Sequence, residues 1–258
     1  MSRKLRIAVA GASGRMGKTV LGAVEESGDC VLAGALESPK HSDIGAPHAG
    51  ALTDDPEKAI ADADAIIDFS TPDATAHLTK LAAEKHIPHI IGTTGFSPTQ
   101  DKTIREAASR TVVVKSGNMS LGVALLARLV KEAAIALPDF DVEIVEMHHR
   151  MKVDAPSGTA LLLGEAAAAG RNVRLSDKSV RGRDGQTGAR ESGAIGFASL
   201  RGGSVVGEHR VILAGPHERI ELAHIAEDRM IFARGALAAA RWSIGKPAGL
   251  YSIADVVG

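Results

Sequence analysis

The amino-acid sequence predicts an α/β protein in which a Rossmann-like dinucleotide-binding domain accompanies an α+β domain with a mixed sheet. An apolar strand runs directly into a glycine-rich turn and a helix, and strand and helix patterns then alternate as far as Lys115. The alternation of strand and helix patterns stops at Asp141, and most segments after it have the pattern of strands. We therefore expect a parallel sheet in the first half of the chain and a mainly antiparallel or mixed sheet in the second.

Length and composition limit the class of protein and its partners. The 258 residues are 45% hydrophobic with a formal net charge of -1, which fits one or two globular domains without the basic surface that holds nucleic acid. Cys30 is the single cysteine, so an internal disulfide is excluded and a reducing compartment is expected. No run of about 20 apolar residues occurs, and the first apolar run is too short for a signal peptide, so we expect a cytoplasmic protein without a membrane span.

The first glycine turn lies between the strand pattern at residues 5–10 and a helix pattern at residues 18–26. Its members are Gly11, Ala12, Ser13, Gly14, Arg15, Met16 and Gly17. In dinucleotide-binding folds such glycines allow a tight turn, a close backbone approach to the pyrophosphate and packing of helix on strand. The spacing is G-x-x-G-x-x-G rather than G-x-G-x-x-G, so the turn alone fits a structural role as well as a cofactor.

A carboxylate after the next strand supports the cofactor interpretation. Glu37 follows the strand pattern at residues 30–36, about twenty residues past Gly17, where an acidic side chain accepts hydrogen bonds from ribose hydroxyls. The turn and Glu37 together predict NADH or NADPH as cofactor. Ser38 stands where an arginine would favour the 2′-phosphate of NADPH. Other cations could supply positive charge, namely Arg15, Lys18 and Lys40, so the choice between the two cofactors stays open.

Three later strand patterns, at residues 65–69, 87–91 and 111–115, end in turns that we expect near the nicotinamide. In an open parallel sheet the ligand lies beyond the carboxyl ends of the strands. The turns contain Ser70 with Thr71, then Gly92, Thr93, Thr94 and Gly95, and then Ser116, Gly117, Asn118, Met119 and Ser120. Helix capping is the alternative role of the first turn, which precedes Pro72.

The chemistry is expected at residues 146–160, which combine titratable groups with a helix start. A strand pattern precedes two histidines, and strand alternation places His148 and Lys152 on one face and His149 on the other. An imidazole beside an ammonium group suits proton transfer. Metal binding by the histidines with Glu146 is the alternative, but adjacent strand residues point apart and no further ligand spacing supports it.

Ser157 follows the turn signal Asp154-Ala155-Pro156 and is a candidate N-cap for an apolar helix at residues 160–169. Backbone N–H groups in the first turn of a helix lack helical partners and bind carboxylate or phosphate. We therefore expect Gly158 and Thr159 to bind an anionic group of a small substrate.

The second half has strand patterns at residues 141–147, 194–200, 204–214 and 219–226. A packed apolar helix is predicted at residues 229–242. The segment at residues 171–191 is rich in Gly and Arg, which suggests a nucleic-acid arm or a mobile loop over an anionic ligand. Asp177 and Asp184 dilute its charge and no aromatic residue interleaves, which favours the loop. His209 is interpreted as a structural residue.

These motifs resemble the dihydrodipicolinate reductase family of the bacterial lysine and diaminopimelate pathway. The resemblance covers the full length and is carried by the glycine turn, by Gly92-Thr93-Thr94-Gly95, by residues 146–160 and by Gly207-Glu208-His209. It implies NADH- or NADPH-dependent reduction of 4-hydroxy-tetrahydrodipicolinate, a small dicarboxylate, and a homotetramer. It also implies an inserted second domain, with dinucleotide binding by residues 1–118 and 229–258, and substrate binding and tetramerisation by residues 119–228.

The resemblance further implies roles for the residues at the matching positions. His148 would be the catalytic acid/base, Lys152 a proton donor and His149 a substrate contact, with Gly158 and Thr159 as the carboxylate cradle. Cofactor contacts would be made by Gly11 to Gly17, Glu37, Gly92, Thr93, Thr94, Ser116, Gly117, Asn118 and Met119. The sequence departs from the family pattern at Ser38, often an arginine, and at Met119, often a phenylalanine. The first departure puts a preference for NADPH in doubt.

Two other kinds of protein stay open at this point. An aspartate or homoserine dehydrogenase would have a similar nucleotide domain, but the run E-M-H-H-R-M-K argues against it. A regulator that senses NAD(H) without chemistry would not need His148 and Lys152 beside a carboxylate site.

Overall fold

The computed structural model describes residues 3–44 and 52–258, so residues 1–2 and 45–51 of the predicted first domain lie outside the described residues. The chain divides into two compact units. The first is formed by Met1–Leu121 with Arg229–Gly258, and the second by Gly122–Asp228. The assignment of dinucleotide binding to one domain, and of substrate binding and tetramerisation to the other, stays a prediction.

The chain begins with alternating strands and helices, in the order β1 (Leu5–Ala10), α1 (Arg15–Glu26), β2 (Cys30–Leu36), β3 (Leu52–Thr53), α2 (Pro56–Ile60), β4 (Ala65–Asp68), α3 (Pro72–Glu84), β5 (His89–Ile91), α4 (Pro98–Ala107) and β6 (Val112–Lys115). Next come α5 (Leu121–Ala136), β7 (Asp141–His148), α6 (Gly158–Gly170), α7 (Leu175–Lys178), β8 (Ser179–Val180), β9 (Ile195–Arg201), β10 (Gly207–Gly215) and β11 (Glu218–Ala226). The last elements are α8 (Met230–Ser243), β12 (Gly249–Tyr251) and α9 (Ile253–Val257). Among the described residues, none of the helices has the length and apolar character needed to cross a membrane.

Within the described residues, the first unit contains a seven-stranded parallel sheet in the order β12-β6-β5-β4-β1-β2-β3. β1 pairs with β2 on one side and with β4 on the other, so the strand order reverses at β1. Ligands of such sheets bind beyond the carboxyl ends of the strands at this reversal. Both faces are covered, which is why Ile7, Val9, Ile66 and Ile67 are fully buried in continuous apolar runs. The predicted Rossmann-like sheet is confirmed.

The described part of the second unit contains a mixed sheet in the order β11-β10-β7-β9-β8. β10 is antiparallel to β11 and β7, whereas β9 is parallel to β7 and β8. One face is covered by α5 and α6, whose Val130 and Leu163 form a core with Val142, Ile144 and Val211 of the sheet. The predicted second α+β unit with a mixed sheet is confirmed, and it has one helix-covered face.

Differences from the predicted elements are confined to short or irregular segments. β10 begins at Gly207 rather than at residue 204, because the turn that precedes it is longer than predicted. The prediction of a loop throughout residues 171–191 is wrong, since residues 175–180 form α7 and β8. β12 was not predicted, because three residues show no period, and its place in the sheet depends on pairing with β6.

Candidate active site

The glycine turn between β1 and α1 is too tight for larger side chains. Gly11 has a φ of 72°, which favours glycine, and a Cβ there would lie 2.7 Å from the carbonyl oxygen of Phe69. A Cβ on Gly17 would lie 2.0 Å from the carbonyl oxygen of Gly11, so this glycine lets α1 pack against the turn. Gly14 is the N-cap of α1, and neither a side-chain cap nor an acidic residue occupies this helix start. The first turn therefore suits binding of a diphosphate.

Glu37 lies beside the glycine turn at the end of β2. Its Oε2 accepts a hydrogen bond from the N–H of Ser13 at 2.9 Å, and its Oε1 accepts one from the N–H of Ser38 at 2.8 Å. The carboxylate borders a cavity of about 690 Å³ that Gly11 and Gly14 also line. The other members of the turn are the buried Ala12, the exposed Arg15 and the half-buried Met16. Glycine backbone, helix start and carboxylate thus lie around one cavity of the first unit, an arrangement that fits a dinucleotide.

A buried polar network connects the loops that follow β4 and β5. Asp68 accepts hydrogen bonds from the N–H and the hydroxyl of Ser70 at 2.8 and 2.6 Å, and its other oxygen lies 3.1 Å from Nε2 of His89. Thr93, a predicted cofactor residue, is 5% exposed, and its hydroxyl donates to Asp68 at 3.3 Å. Thr71 caps α3, so the capping role considered for it is present. The network fixes both loops at the carboxyl edge of the sheet.

The remaining predicted cofactor residues lie at the turns after β5 and β6. A Cβ on Gly92 would lie 2.1 Å from the ring of Phe69, and one on Gly117 would lie 3.6 Å from the methyl group of Thr94. The two turns are therefore adjacent. The hydroxyl of Ser116 donates to the carbonyl of Asn118 at 2.7 Å, which stabilises the second turn. The side chain of Met119 is only 1% exposed and packs in the core of the unit. Cofactor contacts at these positions stay predictions.

In the second unit, Glu146 and His148 extend from one face of β7 because they are two residues apart in a strand. Nδ1 of His148 lies 2.6 Å from Oε2 of Glu146. Arg201 is opposite His148 on β9, and its guanidinium donates to both oxygens of Glu146 at 2.8 and 2.9 Å. Glu146 is 1% exposed and His148 9% exposed, so the pair is buried. The sequence did not reveal Arg201, because its position depends on the register between β7 and β9.

The N-terminus of α6 lies at the same end of β7. Ser157 is its N-cap, as predicted, and accepts a hydrogen bond from the first helical turn at 3.1 Å. The N–H of Ser157 donates to Oε1 of Glu146 at 3.2 Å, and its hydroxyl lies 2.9 Å from Nε2 of His209. Gly158 and Thr159 are the first residues of α6. A Cβ on Gly158 would meet no heavy atom within 4 Å, so there is room for a ligand at this helix start.

His209 packs edge-on against His148, with ring centroids 5.1 Å apart and an interplanar angle of 75°. Burial, followed by the charge of His148, lowers the pKa of His209 to about 4, so this ring is neutral at neutral pH. The pairing of β10 with β7 brings it here, opposite Glu146. The interpretation of His209 as structural did not include this contact.

Lys152 lies in a turn rather than in the strand. β7 ends at His148, and the N–H of Lys152 donates to the carbonyl of the half-buried His149 at 3.1 Å. The prediction that strand alternation places His148 and Lys152 on one face is therefore wrong, because the chain leaves the strand after His148. The ammonium group of Lys152 donates to both carboxylate oxygens of Asp154 at 2.8 and 3.0 Å.

Burial and charge act on His148 in opposite directions. Burial lowers the pKa of its imidazole, Glu146 raises it, and the positive charges of Lys152 and Arg201 lower it again, with a net pKa below the ordinary value. Burial alone would raise the pKa of Glu146, but hydrogen bonds from Arg201 and His148 lower it to about 2. The site is therefore a carboxylate with a predominantly neutral imidazole at neutral pH. In the described part of the chain, no three His, Cys, Asp or Glu side chains are grouped to hold a metal ion.

The basic side chains predicted to lie over an anionic ligand are paired within the chain. Arg183 donates to both oxygens of Glu143 at 2.9 and 2.8 Å, and Arg190 donates to Glu143 and Asp141. The other bonds join Arg171 to the Phe140 carbonyl, Arg174 to Asp177, Lys178 to Glu191 and Arg181 to Ser179. These contacts give a structural role to the cations and no support to the anionic ligand.

The parallel sheet that reverses at β1, the glycine turn and the carboxylate after β2 are the features of the dinucleotide-binding class that includes the nicotinamide-dependent oxidoreductases. Comparison with family models identifies the family. A model of the N-terminus of dihydrodipicolinate reductase matches residues 5–119, and a model of its C-terminus matches residues 122–257. The chain belongs to the dihydrodipicolinate reductase family.

Similar proteins agree with this assignment over the full length. A 4-hydroxy-tetrahydrodipicolinate reductase of Parvibaculum lavamentivorans is 58% identical over 100% of this chain and 99% of its own. One of Rhodopseudomonas palustris (strain BisB18) is 57% identical over 98% of this chain and 97% of its own. A dipicolinate-bound dihydrodipicolinate reductase from Paenisporosarcina sp. TG-14 is 25% identical with a TM-score of 0.79, covering 98% of this chain and 99% of its own.

Proposed function

We propose that the chain catalyses the NADH- or NADPH-dependent reduction of 4-hydroxy-tetrahydrodipicolinate to tetrahydrodipicolinate, a step of the diaminopimelate route to lysine. The observation that carries the proposal is a buried carboxylate–imidazole pair next to the uncrowded start of α6. An acid/base group beside an anion-binding helix start suits the reduction of a carboxylate-bearing ring. Relatives named as this reductase match the whole chain, which supports the same substrate.

The substrate would be bound through a carboxylate at the start of α6. The backbone N–H groups of Gly158 and Thr159 belong to the first turn of this helix, and the absent side chain of Gly158 leaves room for the ligand. The relative from Paenisporosarcina binds dipicolinate, a ring with two carboxylates, which supports this class of ligand. His149 lies in the turn that follows β7 and is proposed as a further substrate contact.

The proton that completes the reduction would come from His148 or Lys152. His148 is buried and oriented by Glu146, whereas Lys152 is bound to Asp154 in the turn that follows the strand. Both side chains carry an ionisable nitrogen that can donate a proton, as a general acid must, and both lie in one short segment. The reduced nicotinamide, when bound, supplies the hydride.

A spectrophotometric assay tests the function. The purified chain, mixed with freshly made 4-hydroxy-tetrahydrodipicolinate and reduced nicotinamide, should show substrate-dependent loss of the absorbance of NADH or NADPH. A sensor of NAD(H) would bind the cofactor without turnover, and an aspartate or homoserine dehydrogenase would turn over its own substrate instead. Binding of NADH without any turnover in this assay would refute the proposal.

For the cofactor, we propose a preference for NADH over NADPH. Among the described residues that line the cavity beside Glu37, none is Arg or Lys, whereas Asp54 and Asp73 are present. A 2′-phosphate would bring negative charge next to these carboxylates, with no Arg or Lys of the described lining to bind it. A ribose hydroxyl, in contrast, can donate a hydrogen bond to Glu37.

Replacing Ser38 by Arg should lower the KM for NADPH by about tenfold, because one charge-assisted hydrogen bond is worth roughly 1.5 kcal/mol. Ser38 lines the cavity, and its N–H donates to Glu37, so a longer side chain at this position would lie beside the ribose site. Initial rates at varied NADH and NADPH measure the effect. Ser38→Gln is the matched control, since it adds length without charge. A wild-type preference for NADPH, or equal effects of Arg and Gln, would contradict the assignment.

We also propose that the chain assembles as a homotetramer through the face of the second sheet that the helices leave uncovered. On this face Met147 of β7 pairs in register with Leu200 of β9 and with Glu208 of β10, which is opposite Ile225 of β11. Leu200 and Ile225 are 49% and 60% exposed. Exposed apolar side chains on the uncovered face of a sheet favour association with a second copy, which gains by burying them.

Ile225→Lys should reduce the molar mass of the assembly measured by light scattering after size-exclusion chromatography. A charge on the proposed contact face would have to be buried without a partner, which association cannot compensate. Ile135→Lys is the control, because Ile135 is 57% exposed but lies on α5. A monomeric wild type, or an Ile225→Lys variant with the wild-type mass, would rule out this interface.

A further inference from the structure

Glu146 accepts four hydrogen bonds from three parts of the second unit. Its Oε2 accepts from Nδ1 of His148 and from Arg201, and its Oε1 accepts from Arg201 and from the N–H of Ser157. A carboxylate has four such acceptor positions, so this group is saturated. One buried side chain therefore joins the imidazole on β7, the guanidinium on β9 and the N-cap of α6. A group that only filled space in the core would not need these four contacts.

The contact between Glu146 and His148 fixes where the imidazole carries its proton. Glu146 is ionised, since its pKa is lowered to about 2, and an ionised carboxylate only accepts hydrogen bonds. Nδ1 of His148, 2.6 Å away, must therefore be the donor. In the neutral ring the lone pair is then on Nε2. An alanine at Gly207 would bring its Cβ within 3.0 Å of this Nε2, so the glycine keeps that edge of the ring uncovered.

Among the described residues whose charges act on His148, Glu146 is the only anion. The groups are Glu146 on its own strand, Arg201 on β9 and Lys152 in the following turn, and the neutral ring of His209 on β10 packs against it. The two cations oppose protonation of the imidazole, and Glu146 favours it. Without the carboxylate, both remaining charges would act against an imidazolium.

We propose that Glu146 is a positioning residue that holds His148 with its proton on Nδ1 and thereby makes Nε2 the atom that exchanges the proton of the reaction. This inference rests on the proposed role of His148. In the imidazolium, Nε2 gives its proton to the substrate and keeps the electron pair of the broken N–H bond. The neutral ring that remains has its proton on Nδ1, already bonded to Glu146. No rotation of the ring is needed before Nε2 takes up the next proton from solvent.

The first test needs no variant. ¹⁵N chemical shifts of the histidine rings of the full chain, recorded without substrate, should show neutral His148 with a protonated Nδ1 and an unprotonated Nε2. His148→Gln identifies the signals by their loss. Protonation of Nε2 in the neutral ring would overturn the proposal. Because no turnover is involved, this result is independent of whether His148 is catalytic.

The second test replaces the carboxylate. Glu146→Gln should lower kcat at neutral pH by about 10- to 100-fold, the size of effect seen when metal-binding histidines lose the group that orients them. The limb of the pH–kcat profile that reports His148 should move to lower pH, because the group that favours the imidazolium is lost. Glu146→Asp keeps the charge and should restore part of kcat and the Nδ1-protonated ring. A Glu146→Gln enzyme with the wild-type profile and ring protonation would overturn the proposal.

Binding of NADH, measured by its fluorescence, monitors folding of the first unit, and circular dichroism monitors the whole chain. If Glu146→Gln fails to fold, Glu146→Asp carries the test, since a ring protonated on Nε2 in this variant together with wild-type kcat would contradict the proposal. The outcomes also separate this inference from the proposed function. Full activity of His148→Gln would refute the acid/base role and leave the measured ring protonation unaffected. If wild-type His148 carries its proton on Nδ1 but the pH–kcat profile of Glu146→Gln equals that of the wild type, the positioning role alone would be refuted.

Discussion

Replacement of His148 by Gln is expected to lower kcat by about 100- to 10,000-fold, the range that a general acid contributes. The imidazole is 9% exposed and held from one side by Glu146 and from another by the ring of His209. A glutamine side chain can fill much of this space but cannot deliver a proton from Nε2. The loss should therefore appear in kcat rather than in KM, because the carboxylate contact proposed at the start of α6 would not involve the imidazole.

Steady-state rates at varied substrate and NADH measure the effect, with Lys152→Ala assayed in parallel to show which group delivers the proton. His217→Asn is a suitable control. It removes an imidazole from an exposed turn of the same unit, and Asn accepts the φ of 67° found there. Wild-type kcat in both His148→Gln and Lys152→Ala would exclude the two groups as proton donors. Loss of kcat in the control would point to a general effect on the second unit.

The parts of the site that sequence could predict are those determined by neighbouring residues. The turn from Gly11 to Gly17 follows from the apolar strand before it and the helix after it, and its close approaches explain why glycines occupy it. Glu37 follows its strand at a distance set by the βαβ unit. Ser157 was predicted as an N-cap from the turn and helix patterns on its two sides, and its hydroxyl accepts the expected bond.

The parts that sequence could not predict depend on which strands pair and in which register. Arg201 meets Glu146 because β9 lies beside β7, and His209 meets His148 because β10 lies on the other side. Glu146 itself carried a local signal, since residues two apart in a strand share a face. The predicted position of Lys152 was wrong although it also rested on local alternation, because β7 ends at His148 and the alternation does not continue beyond it.

A second large effect is expected at Asp68 and His89, whose contact depends on the pairing of β4 with β5. Both side chains are 0% exposed, and Nε2 of His89 lies 3.1 Å from the carboxylate. The single hydroxyl proton of Thr79 is donated to the carbonyl of Thr75 at 2.7 Å, so the hydroxyl oxygen accepts from Nδ1 of His89 at 3.0 Å. Both ring nitrogens therefore face oxygen acceptors, and we expect the pair to act as a buried imidazolium and carboxylate.

Asp68→Asn should therefore lower the free energy of unfolding of the first unit by about 3–5 kcal/mol at pH 6, because it leaves a buried cation without its anion. His89→Leu should cost a comparable amount by leaving the carboxylate without its cation. The double variant should cost less than the sum of the two, since no unpaired charge remains. Trp242 is the only tryptophan of the chain and lies in α8 of the first unit, so its fluorescence follows urea unfolding of that unit.

The pH dependence of the same measurement separates charge pairing from packing. Burial would raise the pKa of Asp68, but the hydrogen bond and charge of His89 and the bonds from Ser70 lower it below its ordinary value. A carboxyl with a lowered pKa in the folded state stabilises the protein above its unfolded value of about 3.9, and this contribution is lost as pH falls further. The difference between wild type and Asp68→Asn should thus persist from pH 6 to about 4 and shrink below it. A difference that is independent of pH, or additive costs in the double variant, would show that Asp68 and His89 contribute by shape alone.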